Sequence, residues 1–427
     1  MDIDNKNKLA WFMWANLALA YFISLFHRNS MAVVIDLVMA DLAISSALVA
    51  SSLAGTYAIS YMIMQVPAGL MADFLGPRRT VSAGMLVAAL GSLIFATSAN
   101  LEMAFLGRVF IGLGVSVIFA SALKFQIYWF KAAQFATISG LTVLIGNLGS
   151  VAGTTPMAWL VSGIGWRGSF IAVAAVTVMI ALSCWIFVKD GIPEDQTGKE
   201  KKKTTYSAIL EAIRIVFKNA NNWYLFICNF GYGGFILAFL GTWSIAYFMH
   251  VYGLSRSEAA GIALLIMIGK MIGFPFAGFI SDRLGRRKPV MLVFYTFTLV
   301  FWFVLIVFGT INAALLKPLF GLIGIAMGAL IIMPVMAKER NSAAYSGLAI
   351  SFVNMGSFLG MAFFQLLMGY LLDLKWQGLI IDGTRIYPLE AYRFMLGGCL
   401  AIAIACFLLS FKISDRSKTA GSPKSSA

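Results

Sequence analysis

The sequence predicts an all-α membrane protein with twelve transmembrane helices in two six-helix bundles, and three observations support that prediction. Of the 427 residues, 60% are hydrophobic and only 12% are charged, whereas soluble domains carry about 25% charged residues. Apolar stretches of membrane-spanning length recur along the chain. A polar, charged segment divides them into two equal sets. This composition excludes a soluble globular enzyme, a disordered chain and a secreted disulfide-rich scaffold.

Each predicted helix is an apolar stretch of about 20 residues, the length that crosses the hydrocarbon core of a bilayer. The first stretch is interpreted as a transmembrane helix rather than a signal peptide, because no small-residue cleavage site ends it. The predicted spans are 9–35, 46–71, 80–98, 103–123, 134–161, 168–188, 222–249, 257–280, 289–311, 313–336, 343–372 and 392–411.

The long central loop determines the predicted domain organisation. It is polar and charged and contains the run Lys201–Lys203, which is typical of a solvated linker. The predicted units are an N-terminal six-helix bundle (1–188), a cytoplasmic linker (189–221), a C-terminal six-helix bundle (222–411) and a cytoplasmic tail (412–427).

The net charge of +14 is explained by membrane topology. If the N-terminus is inside, most Lys and Arg residues fall on the cytoplasmic side, which places both termini in the cytoplasm of a protein of the cell inner membrane. The opposite side then holds only Arg167, Arg256, Lys317, Lys375, Arg385 and Arg393. The basic residues lie in short loops rather than on one amphipathic face, so membrane lipid and not nucleic acid is the expected surrounding partner.

The sequence lacks the motifs of common enzyme and metal sites. Its four cysteines lie inside apolar runs without a Cys-x-x-Cys pattern, which indicates packing rather than disulfides or zinc binding. No Gly-x-x-x-x-Gly-Lys-Ser/Thr loop is present, so direct coupling to ATP is not expected. No pair of histidines has metal-binding spacing. We therefore expect a protein that is not an enzyme and that holds no cofactor or metal.

A loop motif occurs twice. Gly69, Asp73, Gly76 and Arg78 follow the second predicted span, and their counterparts lie 209 positions later (69 to 278, 78 to 287) after the eighth span. The second copy consists of Gly278, Asp282, Gly285, Arg286 and Arg287. Because the copies occupy equivalent places in the two halves, they indicate an internal repeat.

The doubled motif, the twelve spans and the central linker together resemble the major facilitator superfamily of secondary transporters. The resemblance covers the whole chain and implies two six-helix bundles related by a pseudo-twofold axis, with a substrate site between them. In that family the acidic and basic loop residues latch helix ends and separate during alternating access. Carried over, they form a gating motif of Asp73 and Arg78 in one half and Asp282, Arg286 and Arg287 in the other.

Two helices carry further family patterns. Arg108, Gly112 and Gly114 in span four resemble the structural Arg-x-x-x-Gly-x-Gly motif of the superfamily. In span one, Arg28 resembles the arginine that grips the substrate in the organophosphate and organic-anion branch. That branch carries a second arginine in helix seven, whereas residues 222–248 of this chain contain no Arg or Lys.

Charged residues within spans are the main candidates for a binding site, because burying a charge in a membrane is costly. Arg28, Arg108 and Lys270 lie inside predicted spans, and Lys124 lies at the cytoplasmic end of span four, while no acidic residue lies at the centre of a span. A carboxylate, sulfonate or phosphate ester would supply the missing negative charge. The sequence therefore predicts a small-molecule anionic substrate.

Each of these charges also has an alternative role. Lys270 lies about 14 residues, or ~20 Å, into its helix, and it could contact backbone carbonyls or buried water instead of a ligand. Lys124 could extend to the membrane interface beside Tyr128. His27 could titrate near neutral pH and is the candidate for proton coupling. Adjacent helical positions point about 100° apart, so His27 and Arg28 cannot both face one cavity squarely, and a packing role for His27 stays open.

Neutral polar and aromatic side chains could complete the substrate site, although helix packing is the alternative for each of them. The candidates are Tyr57, Tyr61, Asn147, Tyr232, Trp243, Asn354 and Gln365.

Together these features predict a monomeric secondary transporter that moves a small organic anion by alternating access, either proton-coupled or by anion exchange. Two other functions stay open at this point. One is export of drugs or peptides, and the other is a transporter-like membrane sensor that binds a ligand without moving it.

Overall fold

The computed structural model describes residues 3–131, 134–190, 206–342, 345–381 and 384–414. The Lys201–Lys203 run and the tail from residue 415 onward lie outside these ranges. The first half of the chain forms α1 (Ile3–Asp41), α2 (Ala47–Ile63), α3 (Gln65–Phe74), α4 (Pro77–Ala96), α5 (Leu101–Ser116), α6 (Ile118–Trp129), α7 (Phe135–Ala152) and α8 (Thr155–Phe187).

The second half forms α9 (Tyr206–Lys218), α10 (Ala220–Asn229), α11 (Phe235–Ala238), α12 (Ser244–Tyr252), α13 (Arg256–Arg283), α14 (Lys288–Phe308), α15 (Ala313–Ala326), α16 (Ala329–Glu339), α17 (Ser346–Leu374) and α18 (Leu389–Leu409). A short antiparallel pair, β1 (Ile380–Ile381) and β2 (Thr384–Arg385), lies between α17 and α18.

The predicted spans fall on these helices, and the all-α membrane fold class is confirmed. In the described part of the chain, ten helical stretches are long and apolar enough to cross a membrane, and two shorter apolar helices accompany them. Breaks at Met64 and Val117 divide spans two and four into helix pairs. Inside α8, Gly165 adopts a left-handed φ of 71° and separates the end of span five from span six.

Close backbone contact between helices depends on glycine. A Cβ on Gly112 in α5 would lie 2.8 Å from the Tyr57 carbonyl oxygen in α2, and one on Gly114 would lie 2.5 Å from the Ala88 nitrogen in α4. The two motif glycines therefore pack span four against spans two and three. Small residues allow this approach, which strengthens van der Waals contact between membrane helices.

The central linker ends in a helix that was not predicted from the sequence. In α9, Val216 is fully buried, and Phe217 packs on Phe352 of α17 with ring centroids 4.6 Å apart. Asn222 donates a hydrogen bond to the Val216 carbonyl. The end of the expected solvated linker is thus docked on the second half. The domain boundaries at 188 and 222 stay predictions.

The helical spans have two ends, which we call the far face and the termini face. The far face is where α1 ends at Asp41 and α2 and α13 begin. The termini face is the opposite end, where α1 begins and α18 finishes. Several spans that start at the far face have polar caps, because the first N–H groups of a helix need acceptors. Ser46 caps α2, and Ser255 with Glu258 forms a capping box on α13.

Candidate functional site

Arg28 and Lys270 lie at the same depth between the two halves of the chain. Each is about 13 or 14 residues from the far-face end of its helix, or ~20 Å at 1.5 Å per residue, near the middle of a hydrocarbon core of about 30 Å. Asn29 Nδ2 lies 3.7 Å from Met267 Sδ, so these stretches of α1 and α13 are in contact.

Neither of these two cations has an acidic partner among the described residues. Lys270 is only 4% exposed, and its ammonium lies 5.8 Å from the centroid of the Phe274 ring. Arg28 Nε is buried without a hydrogen-bond partner. None of the ion pairs found between described residues includes either side chain. The result is a positively charged region at mid-depth.

The carboxylates that form ion pairs are engaged elsewhere, near the ends of the spans. Their partners are Asp36 with Arg256, Asp41 with Arg167, Asp373 with Arg385, and Asp282 and Glu339 with Arg287. The positions of these carboxylates thus agree with the sequence, in which no acidic residue lies at the centre of a predicted span.

Aromatic residues surround Arg28 on the side of the first half. The phenol groups of Tyr21, Tyr57 and Tyr61 are each close enough to Arg28 to interact with its charge. Tyr57 donates a hydrogen bond of 3.1 Å to the Ser24 carbonyl, which fixes its orientation. The Tyr61 ring stacks on the ring of Phe358 in the second half, with ring centroids 4.5 Å apart. Tyr57 and Tyr61 were predicted for the site, whereas Tyr21 and Phe358 were not.

Span seven lies against Arg28 and is irregular at that point. Its π-helical segments are Phe230–Gly234 and Phe239–Trp243, and π-helical turns are frequent at functional sites. A Cβ on Gly241 would lie 3.7 Å from the Arg28 carbonyl oxygen. The next residue, Thr242, accepts a hydrogen bond of 2.7 Å from Gln365, whose Oε1 is buried without a partner. Gln365 therefore presents an acceptor beside this region.

The other predicted site residues divide between the region around Arg28 and more distant packing positions. Asn147 is 6% exposed on α7, next to Gly146, which packs on the ring of Tyr21. Asn354 lies one turn before Phe358 on α17. The Tyr232 hydroxyl instead bonds to the Ala326 carbonyl at 2.5 Å, which is a packing contact inside the second half. Trp243 donates to Ser51 Oγ at 2.8 Å, across the two halves.

Lys124 lies away from mid-depth. It is near the end of α6 at the termini face, and its ammonium is 5.3 Å from the centroid of the Tyr128 ring. This contact matches the alternative in which Lys124 extends toward the membrane interface.

His27 and Arg108 are buried inside the first half. The His27 ring lies 6.3 Å from Phe170, and neither of its nitrogens has a hydrogen-bond partner. The Arg108 guanidinium lies 5.3 Å from the Tyr57 ring and 6.0 Å from Phe95. Both side chains therefore pack against aromatic rings of the first half. A role for His27 in proton coupling stays a prediction.

Polar contacts join the two halves at the far face, and we call Asp36, Arg256, Ser46, Asp373 and Arg385 the far-face gate. Arg256 binds both carboxylate oxygens of Asp36, at 2.7 and 2.6 Å. Asp373 of α17 accepts hydrogen bonds from the first backbone N–H groups of α2, at 2.8 and 2.9 Å, and from Ser46 Oγ at 2.5 Å. A carboxylate at a helix N-terminus is favoured by the helix dipole. In the sequence, Arg256 and Arg385 indicated only the topology.

The second glycine of the repeated loop motif has a positive φ in both halves. Gly76 and Gly285 have left-handed φ angles of 82° and 64°, a conformation that glycine adopts without steric cost. Each turn ends the helix that carries Gly69 or Gly278. In the second half, Arg287 contacts Asp282 at 2.7 Å, whereas a latching role for Asp282, Arg286 and Arg287 stays a prediction.

In the first half, Arg78 makes different contacts. Its Nε donates to the Trp185 carbonyl at 2.7 Å, and its backbone N–H donates to Asp190 at 2.8 Å. The side chain of Asp73 lies outside the described part of the structure, so its pairing with Arg78 stays a prediction.

Comparison with known proteins agrees with this architecture. The chain is 24% identical over 98% of its length to a hexuronate transporter of Bacillus subtilis, covering 97% of that protein. It is 23% identical to a probable sulfoacetate transporter of Cupriavidus necator, covering 64% of each chain. A bacterial homologue of the human lysosomal transporter Spinster has the same fold, with a TM-score of 0.73 and 17% identity over 95% of this chain and 97% of that one.

The sequence profile of the Major Facilitator Superfamily matches residues 17–363 and, in a second match, 247–426. The expectation that this protein is a transporter and not an enzyme is confirmed by that family. The chain is a multi-pass membrane transporter that belongs to the Major Facilitator Superfamily.

Proposed function

We propose that this protein carries a small organic anion across a bacterial inner membrane, and that the anion binds between Arg28 and Lys270. One observation carries the proposal: two cations from opposite halves, the buried Lys270 and the partly buried Arg28, share one depth and have no carboxylate partner among the described residues. Unpaired charge in a membrane interior costs several kcal/mol. A bound anion removes that cost, whereas a cationic substrate would increase it.

The names of two relatives support this substrate class. Hexuronate and sulfoacetate, the molecules named for the Bacillus and Cupriavidus proteins, are organic anions. The charge of the site and the chemistry of these molecules therefore agree.

The proposed mechanism is alternating access by a monomer with cytoplasmic termini. The far-face gate joins the halves at one end of the site, so a substrate would reach Arg28 from the termini face in this conformation. Breaking the gate contacts and closing the termini face would expose the site to the other side. The driving force is either a proton gradient, with His27 as the candidate carrier, or exchange for a second anion.

Uptake into proteoliposomes tests the proposal. Purified protein would be reconstituted and assayed with labelled glucuronate and sulfoacetate, together with Arg28→Gln, Lys270→Met and the control Lys317→Met. Lys317 is an exposed lysine outside the site, so its loss controls for total charge. We expect the uptake of sulfoacetate, which carries two acidic groups, to fall about tenfold or more in the two site variants, since each loses one charge-assisted contact.

Uptake that is unchanged in both site variants would overturn the assigned site. A protein that binds these anions with Arg28 and Lys270 but never accumulates them would be a sensor. Binding and flux are therefore measured on the same preparation, with a thermal-shift assay reporting binding through mass action.

A further inference from the structure

We propose that the substrate is a dianion whose two acidic groups bind separately, one to Arg28 and the other to Lys270. This inference rests on the proposed function and narrows its substrate class. It follows from the number of cations at mid-depth, their positions on two different halves, and the surroundings of each.

The charges at the site determine how many acidic groups it accommodates. Arg28 and Lys270 carry like charges on helices that meet at the contact between Asn29 and Met267, and none of the described ion pairs includes either of them. A single carboxylate neutralises one cation and leaves the other unpaired in a low-dielectric region, where that charge stays costly. Two acidic groups on one ligand neutralise both cations and end their mutual repulsion.

The surroundings of Lys270 make it a binding position in its own right. The side chain is almost fully buried, and the ring contact of its ammonium is with Phe274 at 5.8 Å. A cation–π contact at this distance is weak compared with an ion pair. Within the described part of the chain, Lys270 therefore has no strong partner that would compete with a ligand carboxylate or sulfonate.

The two positions lie on opposite sides of the interface between the halves. Arg28 belongs to α1 and Lys270 to α13, and these helices meet where Asn29 contacts Met267. On the Arg28 side, the ring of Tyr61 stacks on Phe358 of the second half, with ring centroids 4.5 Å apart. A short carbon chain between two acidic groups would bridge the halves along this aromatic surface.

The test compares each dicarboxylate with its own monoamide, which has nearly the same shape and one charge less. Thermal-shift titrations near neutral pH would use succinate, glutarate and adipate, their monoamides, and sulfoacetate. We expect the wild-type protein to bind at least one dianion about tenfold or more tightly than its monoamide. The chain length with the largest difference would report the spacing between the two cations.

Variants of Lys270 assign the second acidic group. In Lys270→Met the preference for the dianion should disappear while monoamides still bind through Arg28, and the control Lys317→Met should keep the wild-type preference. Lys270→Gln serves as a second variant if the methionine variant is not monodisperse.

Three outcomes separate the two proposals. Equal binding of dianions and monoamides to the wild-type protein would overturn the dianion inference and leave the anion transporter intact. Loss of all anion binding in the Lys270 variants would also overturn it, since the two cations would then form a single position. If no anion of either class binds or is transported, the proposed function itself is wrong.

Discussion

Single residues determine how closely the membrane helices approach one another. Gly112 and Gly114 lie close together on α5 and bring this helix against α2 and α4, where a side chain would meet the neighbouring backbone. The same helix carries Arg108, which is buried against aromatic rings instead of an acidic group. We therefore interpret the Arg-x-x-x-Gly-x-Gly motif as structural, because its two glycines allow close contact with neighbouring backbones.

The first prediction concerns Gly114→Val. The added side chain would collide with the Gly84 carbonyl and with the Ala88 nitrogen, which lies 2.5 Å from the place that a Cβ on Gly114 would occupy. Overpacking of this kind costs about 1–3 kcal/mol, so we expect a lower melting temperature in detergent. Gly140→Ala is the matched control, because nothing lies within 4 Å of its Cβ position. If the two variants have the same melting temperature, the close contact at Gly114 does not contribute to stability.

The two cations of the proposed site could be predicted from the sequence, but the residues around them could not. Arg28 and Lys270 are conspicuous because charges are rare inside spans, and their depth follows from residue counting. Tyr21, Phe358 and Thr242 carry no such signal, because aromatic and hydroxyl residues are common in membrane helices. Their positions depend on how distant helices pack, which composition does not encode.

Whole helices are joined across the molecule by ion pairs at their ends. Arg256 at the start of α13 binds Asp36 of α1 with both terminal nitrogens, and the two side chains are only 20% and 10% exposed. A bidentate arginine–carboxylate pair with this burial is geometrically specific. It holds span eight against span one at the far face.

The second prediction reverses this pair. Arg256→Glu or Asp36→Arg alone places like charges in contact, and breaking a buried pair costs about 3–5 kcal/mol. We expect each single variant to lower the melting temperature and the double variant to recover most of the loss. The comparison is Asp41→Asn, which breaks an ion pair with side chains 37% and 46% exposed and should cost about 1 kcal/mol or less. Failure of the double variant to recover would argue against direct pairing.

Helix existence was more predictable than helix detail. Hydropathy located the spans because each is an apolar stretch of bilayer length. The two π-helical segments of span seven and the helix α9 were not predicted. The apolar sequence of residues 230–243 is compatible with an α-helix and with a π-helix, so it does not distinguish them. Helix α9 is a short amphipathic helix that packs on α10 and α17. The gate pair Asp36 and Arg256 is separated by 220 positions, so only the folded chain brings it together.

On the scale of the whole molecule, the two halves are held together at the far face. Ser46 and Asp373, which are 327 positions apart in sequence, place their side-chain oxygens 2.5 Å from each other. The Trp243 to Ser51 hydrogen bond also joins α2 to the second half. The proposed alternating access requires these contacts to separate when the proposed site opens to the far face.

The third prediction tests that requirement with a disulfide. In Ser46→Cys combined with Asp373→Cys, the two side chains replace a direct contact and should form a crosslink on oxidation. The four native cysteines are all buried and should react slowly. We expect substrate flux to stop in the oxidised protein and to return with reductant, while each single variant is insensitive to oxidant. Undiminished flux through the crosslinked protein would contradict far-face opening.

The way α2 begins has a consequence for how opening could be observed. The amides of Ala47 and Leu48 are protected by a carboxylate that belongs to the other half of the chain. When the halves part, these amides lose their acceptor and meet water, while the helix beyond them stays intact. The rate of deuterium uptake at these amides should therefore increase with the fraction of molecules that are open to the far face. A ligand that favours the state open to the termini face should slow it. The exchange rates of two backbone amides would thus report opening in the native protein, without an attached probe.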